Sequence, residues 1–378
     1  MSVAHNTALA FDEDQAMIME VARNFCRERS PIEAVRAQLD TPQGYDEALW
    51  QEIVGLGWPG LALPEHVGGS GLGIAHAVAI AESMGRALLG TPLLSTTLAG
   101  QLVARATAEA RVDVFLADVA AGVPATVALQ EGPDWGSDAC DCRFNDSGVL
   151  QGAKQYVQDA EAAGWFVVVT RHRDMPALAL VQAEQLPVGA IRPHTLIDET
   201  KRAATVDFSG VQLTPDVIIA GDQVTVALCD YYLLGALLTA AEATGSAAAC
   251  LDTTVEYLKT RKQFGKLIGS YQALKHPCVD ILMAIDSARS FIYHAASLLE
   301  DGPLSRDAEI ACRMAKAQAS DTLLQAGDRA VQFHGGMGFT YECDAQLYIR
   351  RAQWSNQQFG DAMHHRKRLA TLLLDAED

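Results

Sequence analysis

Residues 260–276 read TRKQFGKLIGSYQALKH: four cations, Arg261, Lys262, Lys266 and Lys275, set around two glycines at the end of an apolar segment. The chain as a whole is acidic, with 29 Lys and Arg against 47 Asp and Glu, a formal net charge of −18. A run of like charge is most often a solvated face. In so acidic a chain, a basic turn interrupted by glycines has a second reading, a site built for an anion. The segments on either side decide between the two.

Upstream and downstream of this turn, apolar residues recur at helical spacing over roughly 223–260, 271–299, 306–333 and 341–375, with Gly302-Pro303 and the turn HGGMGF (334–339) between segments. Four long helices joined by short links predict a four-helix bundle over 221–378. Between 123 and 220 the texture changes to short β-branched runs such as PATVAL, WFVVVT and RAATVDF, which predict a small antiparallel sandwich or barrel. Residues 1–122 return to helical spacing, broken once by LALPEHVGGSGLG (61–73). The expected fold is α+β and mainly α: an N-terminal helical domain, a middle β domain and a C-terminal helical bundle.

Composition narrows the function. An acidic surface cannot release counterions from nucleic acid or an anionic membrane, so neither is an expected partner. The first residues, MSVAHNTALAFDEDQAM, have neither the basic start nor the apolar run of a signal peptide, and no stretch reads as a membrane span, so a cytoplasmic protein is expected. The eight cysteines form no CxxC pair, and His364-His365 reads as a polar helix face, so no metal is expected. Dinucleotide-fingerprint, P-loop, HExxH and GxSxG motifs are all missing. What remains is chemistry done by a bound cofactor with one or two positioned side chains.

Taken with AVQFHGGMGFTYE (330–342), and with LPEHVGGSGLG (63–73) followed by AESMGRALLGTPLLST (81–96), the basic turn resembles the acyl-CoA dehydrogenase family of FAD flavoproteins, in the divergent bacterial form that degrades steroid or other bulky acyl-CoA. The resemblance covers most of the chain. It implies removal of two hydrogens from an acyl-CoA thioester to give a trans-2-enoyl-CoA, a carboxylate taking the α proton while hydride passes to the flavin. It further implies an electron-transfer flavoprotein or similar acceptor, and a homo- or hetero-tetramer. By the same resemblance Arg261, Gln263 and Phe264 reach across a dimer interface to a neighbour's FAD, with Gln272, and Gln332, Gly335 and Gly336 close on that cofactor. A guanidinium neutralises phosphate and glycines permit close backbone approach.

The sequence departs from the family at the base. One family position for the catalytic Glu matches Phe359 and the other matches Gly235. Asp361 lies two residues beyond the first. Glu242 lies seven residues beyond the second, on the same helical face, and is the lone charge between Asp230 and Asp252. An isolated carboxylate in an apolar helix is costly unless paired or used, so Glu242 is the expected base, with Asp361 as the alternative and a structural hydrogen bond as the other reading of Glu242. In the middle block QEGPDWGSD (130–138) and KQYVQ (154–158) stand where the family covers the flavin ring, with Tyr156 placed to stack and Gln158 to hydrogen-bond. Three functions remain open: a self-sufficient dehydrogenase for a branched or bulky acyl group, which the residues favour; a non-catalytic or cofactor-completing subunit of a heteromeric dehydrogenase; and a flavin-free CoA-binding or scaffold protein.

Overall fold

The computed structural model describes residues 13–132, 140–145, 147–172, 175–300 and 302–374. The part of the 130–138 stretch beyond Gly132 therefore lies outside the described residues. The chain begins with helices α1 (Glu13–Arg29), α2 (Ile32–Gln38), α3 (Glu47–Gly55), α4 (Ala75–Arg86), α5 (Leu93–Ala106) and α6 (Asp113–Ala120). Strands β1 (Ala125–Ala128), β2 (Arg143–Phe144), β3 (Leu150–Gln151), β4 (Ala153–Gln158), β5 (Trp165–His172), β6 (Met175–Gln182), β7 (Ile191–Pro193), β8 (Ala203–Asp207) and β9 (Ile218–Ala220) follow. The C-terminal part holds α7 (Asp222–Thr260), a hairpin of β10 (Lys262–Gln263) and β11 (Lys266–Leu267), then α8 (Gln272–Ser297), α9 (Arg306–His334), α10 (Ala345–Gln357) and α11 (Ala362–Leu374).

The strands form two facing sheets. One runs β3-β2-β5-β6-β9 with β1 also on β5, and the other runs β4-β8-β7. The sheet around β5 is mixed rather than antiparallel, because β1 and β2 both run parallel to it. The chain crosses to the other sheet through β4 before returning as β5, and a crossover of this kind restores strand direction. Alternation along β5 splits its buried side chains: Trp165, Val167 and Val169 join the helical core, while Phe166 and Val168 pack between the sheets with Val157, Val206 and Phe208.

Helix α7 is the axis of the molecule and packs against α4, α5, α8, α9 and α10. From Leu233 to Leu251 every residue is buried, so this stretch is covered around its whole circumference. By length and composition α7 could cross a membrane, and 72% of its most apolar window is buried inside the protein. Its approach to α4 is set by two glycines. A Cβ on Gly85 would lie 1.9 Å from the Glu242 carbonyl oxygen, and one on Gly245 would lie 1.9 Å from that of Glu82.

The expected fourth bundle helix is two helices. The chain breaks at 358–361 between α10 and α11, where Phe359 (φ 55°) and Gly360 (φ 96°) both adopt left-handed backbone. The helical spacing of the sequence continues across this break, but the carbonyls around it have a buried partner, Lys316 of α9, in place of the next helical turn.

Candidate active site

The break at Phe359 closes a pocket where the three parts of the chain meet. Its walls are Ser95 and Leu98 of α5, residues from Thr126 to Gln130 on and after β1, Gln155, Tyr156 and Gln158 of β4, Tyr231 of α7, and Phe359. The free volume is about 20 Å³, room for a single water. Phe359 forms part of its wall. Its ring meets Tyr231 edge-on at 5.6 Å and covers Gly235, where an added Cβ would lie 2.2 Å from the ring. Gln158 Nε2 donates to Gln358 Oε1 at 2.9 Å and ties β4 to the break.

Backbone strain gathers here. Of the five non-glycine residues at positive φ among the described residues, Tyr156, Asp159 and Phe359 line or flank this pocket. Such conformations persist where the surroundings over-determine them, and that happens most often at sites of function. For Tyr156 the surroundings are the irregular register of β4 against β8 between Lys154 and Val157.

No carboxylate lines the pocket among the described residues. The nearest by connection is Asp159, which accepts a hydrogen bond from Ser95 Oγ at 2.6 Å. Burial raises its pKa to about 6, against the lowering effects of Ser95 and Lys201. Glu242 is not in the pocket wall, although its charge acts on Asp159. Its Oε1 accepts from Lys201 Nζ at 2.6 Å and from Arg351 Nη1 at 3.0 Å. Arg351, wholly buried, also pairs with Asp198 and donates to Thr200. This cluster binds α7 and α10 to the loop before β8. Asp361 caps α11, its Oδ1 accepting the His364 amide at 2.7 Å.

The basic turn is at the other end of α7. Phe264 (φ 53°) and Gly265 (φ 77°) make a tight hairpin with two left-handed residues. Arg261, Gln263 and Gln272 are exposed, and Phe264 is 90% exposed. Gln332, Gly335 and Gly336 lie on the exposed end of α9, where an added Cβ on either glycine meets nothing within 4 Å. Tyr257 stacks on His334 at 4.2 Å and brings the two helix ends together. The sequence-predicted residues thus fall into two groups: Tyr156 and Gln158 in the Phe359 pocket, and Arg261 through Gly336 around the basic turn. Gly235 and Arg261 are 26 residues apart along α7, about 39 Å at 1.5 Å per residue.

Sequence reasoning did not single out Lys316, Ser95, Asp159 or Arg351. For Lys316 a signal existed: it falls on the helical face that carries Ala308, Ala311, Cys312, Ala315 and Ala319, all buried. For Asp159 none did, because its hydrogen-bond partners Ser95 and Arg202 lie far away in the sequence.

Comparison with known proteins agrees with this architecture. Residues 12–123 match the acyl-CoA dehydrogenase N-terminal domain, and residues 233–373 match the acyl-CoA dehydrogenase C-terminal domain. The chain is 32% identical to acyl-CoA dehydrogenase IpdE2 of Mycolicibacterium smegmatis, over 94% of this chain and 98% of that protein. Among solved structures, the ChsE4-ChsE5 complex from Mycobacterium tuberculosis shares the fold at TM-score 0.87 and 23% identity, over 98% of this chain and 100% of that one. A variant of the Tcur3481-Tcur3483 steroid ACAD aligns at TM-score 0.83 and 27% identity, over 96% and 98%. The chain belongs to the acyl-CoA dehydrogenase family, FAD-dependent oxidoreductases acting on CH–CH bonds.

Proposed function

We propose that this chain is the base-lacking subunit of a heteromeric, FAD-dependent acyl-CoA dehydrogenase that acts on a bulky, steroid side-chain-like acyl-CoA. The observation that carries this reading is the wall of the Phe359 pocket, in which no carboxylate stands among the described residues. A base must come within hydrogen-bond reach of the proton it takes. Glu242 is held by Arg351 and Lys201, and Asp361 by the start of α11, so neither reaches the pocket.

The residues present suit a flavin nucleotide in two separate halves. Tyr156 offers a ring and Gln158 an amide in the pocket, while Arg261 offers a guanidinium and Gly335 and Gly336 open backbone at the distant turn. FAD, when bound, supplies the hydride acceptor. Gly235 beside the pocket and Arg261 at the turn are about 39 Å apart along α7, and we read the basic turn as serving the cofactor of another chain. In this reading the second subunit holds the catalytic carboxylate and this chain completes its anion site. The relative solved as the Tcur3481-Tcur3483 steroid ACAD supports both the two-chain assembly and the bulky substrate class. The assembly is a cytoplasmic tetramer that passes electrons to an electron-transfer flavoprotein.

One observation favours a second reading, a self-sufficient enzyme. Asp159 is a carboxyl with pKa near 6 whose partner Ser95 lines the pocket, and a relayed proton acceptor of that strength suits neutral pH. Flavin content and turnover of the chain purified alone separate the two. Substoichiometric FAD and no reduction by a steroid side-chain acyl-CoA, with both gained on assembly with a base-bearing subunit, is the expected result. One flavin per protomer, bleached by the acyl-CoA, overturns the heteromer.

A further inference from the structure

The Phe359 turn needs something to hold it. It places a bulky residue at φ 55° next to Gly360 at φ 96°, and a non-glycine residue does not stay in left-handed backbone unless its neighbours fix it. Three consecutive features of the turn are fixed from below. Lys316 of α9, wholly buried, donates from Nζ to the Ser355 carbonyl at 3.0 Å and to the Gly360 carbonyl at 2.9 Å, with Ser320 Oγ at 2.9 Å and the Asn356 carbonyl at 3.4 Å. His365 Nε2 lies 3.0 Å from the Phe359 carbonyl oxygen, which can only accept, so this nitrogen carries the proton. The carbonyls of Ser355, Phe359 and Gly360 are therefore each bonded to a buried side chain.

A buried ammonium is expensive, and an apolar residue would serve the packing of α9 equally well. The charge is matched to what it faces. The last carbonyls of α10 are the negative end of a helix and have lost their helical partners at the break. Asp361 and Asp321 also lie near enough to favour the charged form, against burial, which pulls the ammonium pKa down to about 7.

We propose that Lys316 is a positioning residue that seats the Phe359 turn over Gly235, and so sets how deep the Phe359 pocket is. With the seat intact, the ring lies on Gly235 and the pocket is closed. Without it, the turn has no reason to keep two left-handed residues, the ring withdraws, and the space over Gly235 opens. This inference rests on reading the Phe359 pocket as the chain's half of a flavin site.

The test uses the chain assembled with a base-bearing subunit and loaded with FAD as the probe, and compares Lys316→Met, Phe359→Ala and the double variant. Amide exchange at 357–362 in Lys316→Met is expected to rise at least tenfold while the body of α9 exchanges as in the wild type. FAD retention is expected to fall about tenfold in Lys316→Met and in Phe359→Ala, with little further loss in the double variant, since both act through one turn. Should Lys316→Met not fold, Lys316→Gln, which keeps two donors but loses the charge, is measured in its place. Wild-type exchange and FAD retention on loss of the ammonium, additive losses in the double variant, or exchange that rises throughout α9 each overturn the proposal. If Phe359→Ala alone leaves FAD retention unchanged, the flavin reading of the pocket fails, and the exchange at 357–362 still judges the seat.

Discussion

Replacing Glu242 with Gln separates a structural carboxylate from a catalytic one. The Glu242 side chain is 1% exposed, and its Oε1 serves Arg351 and Lys201 together. Removing one member of a buried ion pair typically costs about 3–5 kcal/mol, because the partner charge stays behind. Here the lower end, about 3 kcal/mol, is expected: Arg351 keeps Asp198, Lys201 keeps some solvent and the face of Trp354, and the Gln carbonyl still accepts one hydrogen bond. At about 2.1 cal/mol/K per residue, 378 residues unfold with an entropy of about 0.8 kcal/mol/K, so the midpoint falls by about 4 °C. Calorimetry on the assembled protein reads this shift, and turnover measured well below the midpoint is expected to stay within about tenfold of wild type. Pairing with Arg351→Met should show strong non-additivity, since both changes act on one contact. The opposite outcome, an unchanged midpoint with turnover lost by several orders of magnitude, is the signature of a lost general base and would refute the reasoning.

Other outcomes follow from single contacts. Phe359→Glu puts a carboxylate in the pocket wall at no new backbone cost, and acyl-CoA oxidation by this chain should rise by about 10²-fold or more; a variant as inactive as the parent would show that the pocket does not receive substrate. Gly245→Ala should cost about 3 kcal/mol or prevent folding, because its Cβ meets the Glu82 carbonyl at 1.9 Å and main chain cannot step aside; a wild-type midpoint contradicts the close packing of α4 and α7. Arg261→Ala should weaken FAD retention about tenfold or more, the scale of one charge-assisted hydrogen bond, and a variant that purifies with full flavin removes Arg261 from the cofactor site. Asp159→Asn tests the strained carboxyl. Its pKa is about 6 when folded against 3.8 for an ordinary Asp, so the folded protein holds the proton more tightly, and stability falls as pH rises from about 4 to 6. The Asn variant should be more stable than wild type by about 1 kcal/mol at pH 7.5, a value discounted for the solvent that Asp159 still meets, and no more stable below pH 4; an equal gain at both pH values would mean the carboxyl is not shifted.

How much of this was legible in the sequence depends on where the partner of each residue lies. The long helices, the β insert and the two glycine-bearing turns depend on neighbours three or four residues away, or two in a strand, and the spacing of apolar residues shows them directly. The break at Phe359 does not show, because α10 and α11 keep helical spacing across it and the reason for the break, Lys316, is some forty residues earlier in the chain. Glu242 was legible as a buried charge that needed a use, but its partners are Lys201 and Arg351, 41 residues before and 109 after, and no pattern along one helix could choose between a proton acceptor and an ion pair. Phe359 and Gly235 are the clearest case. In the sequence they are two separate residues, each matched by resemblance to a family position for the base. In the fold they are one contact, since any side chain at 235 would enter the Phe359 ring, its Cβ at 2.2 Å. A glutamate therefore cannot return at 235 while Phe359 remains, and a phenyl ring at 359 packs this closely only because 235 has no side chain. The two residues form one contact, and opening the space over Gly235 by mutation has to begin at 359.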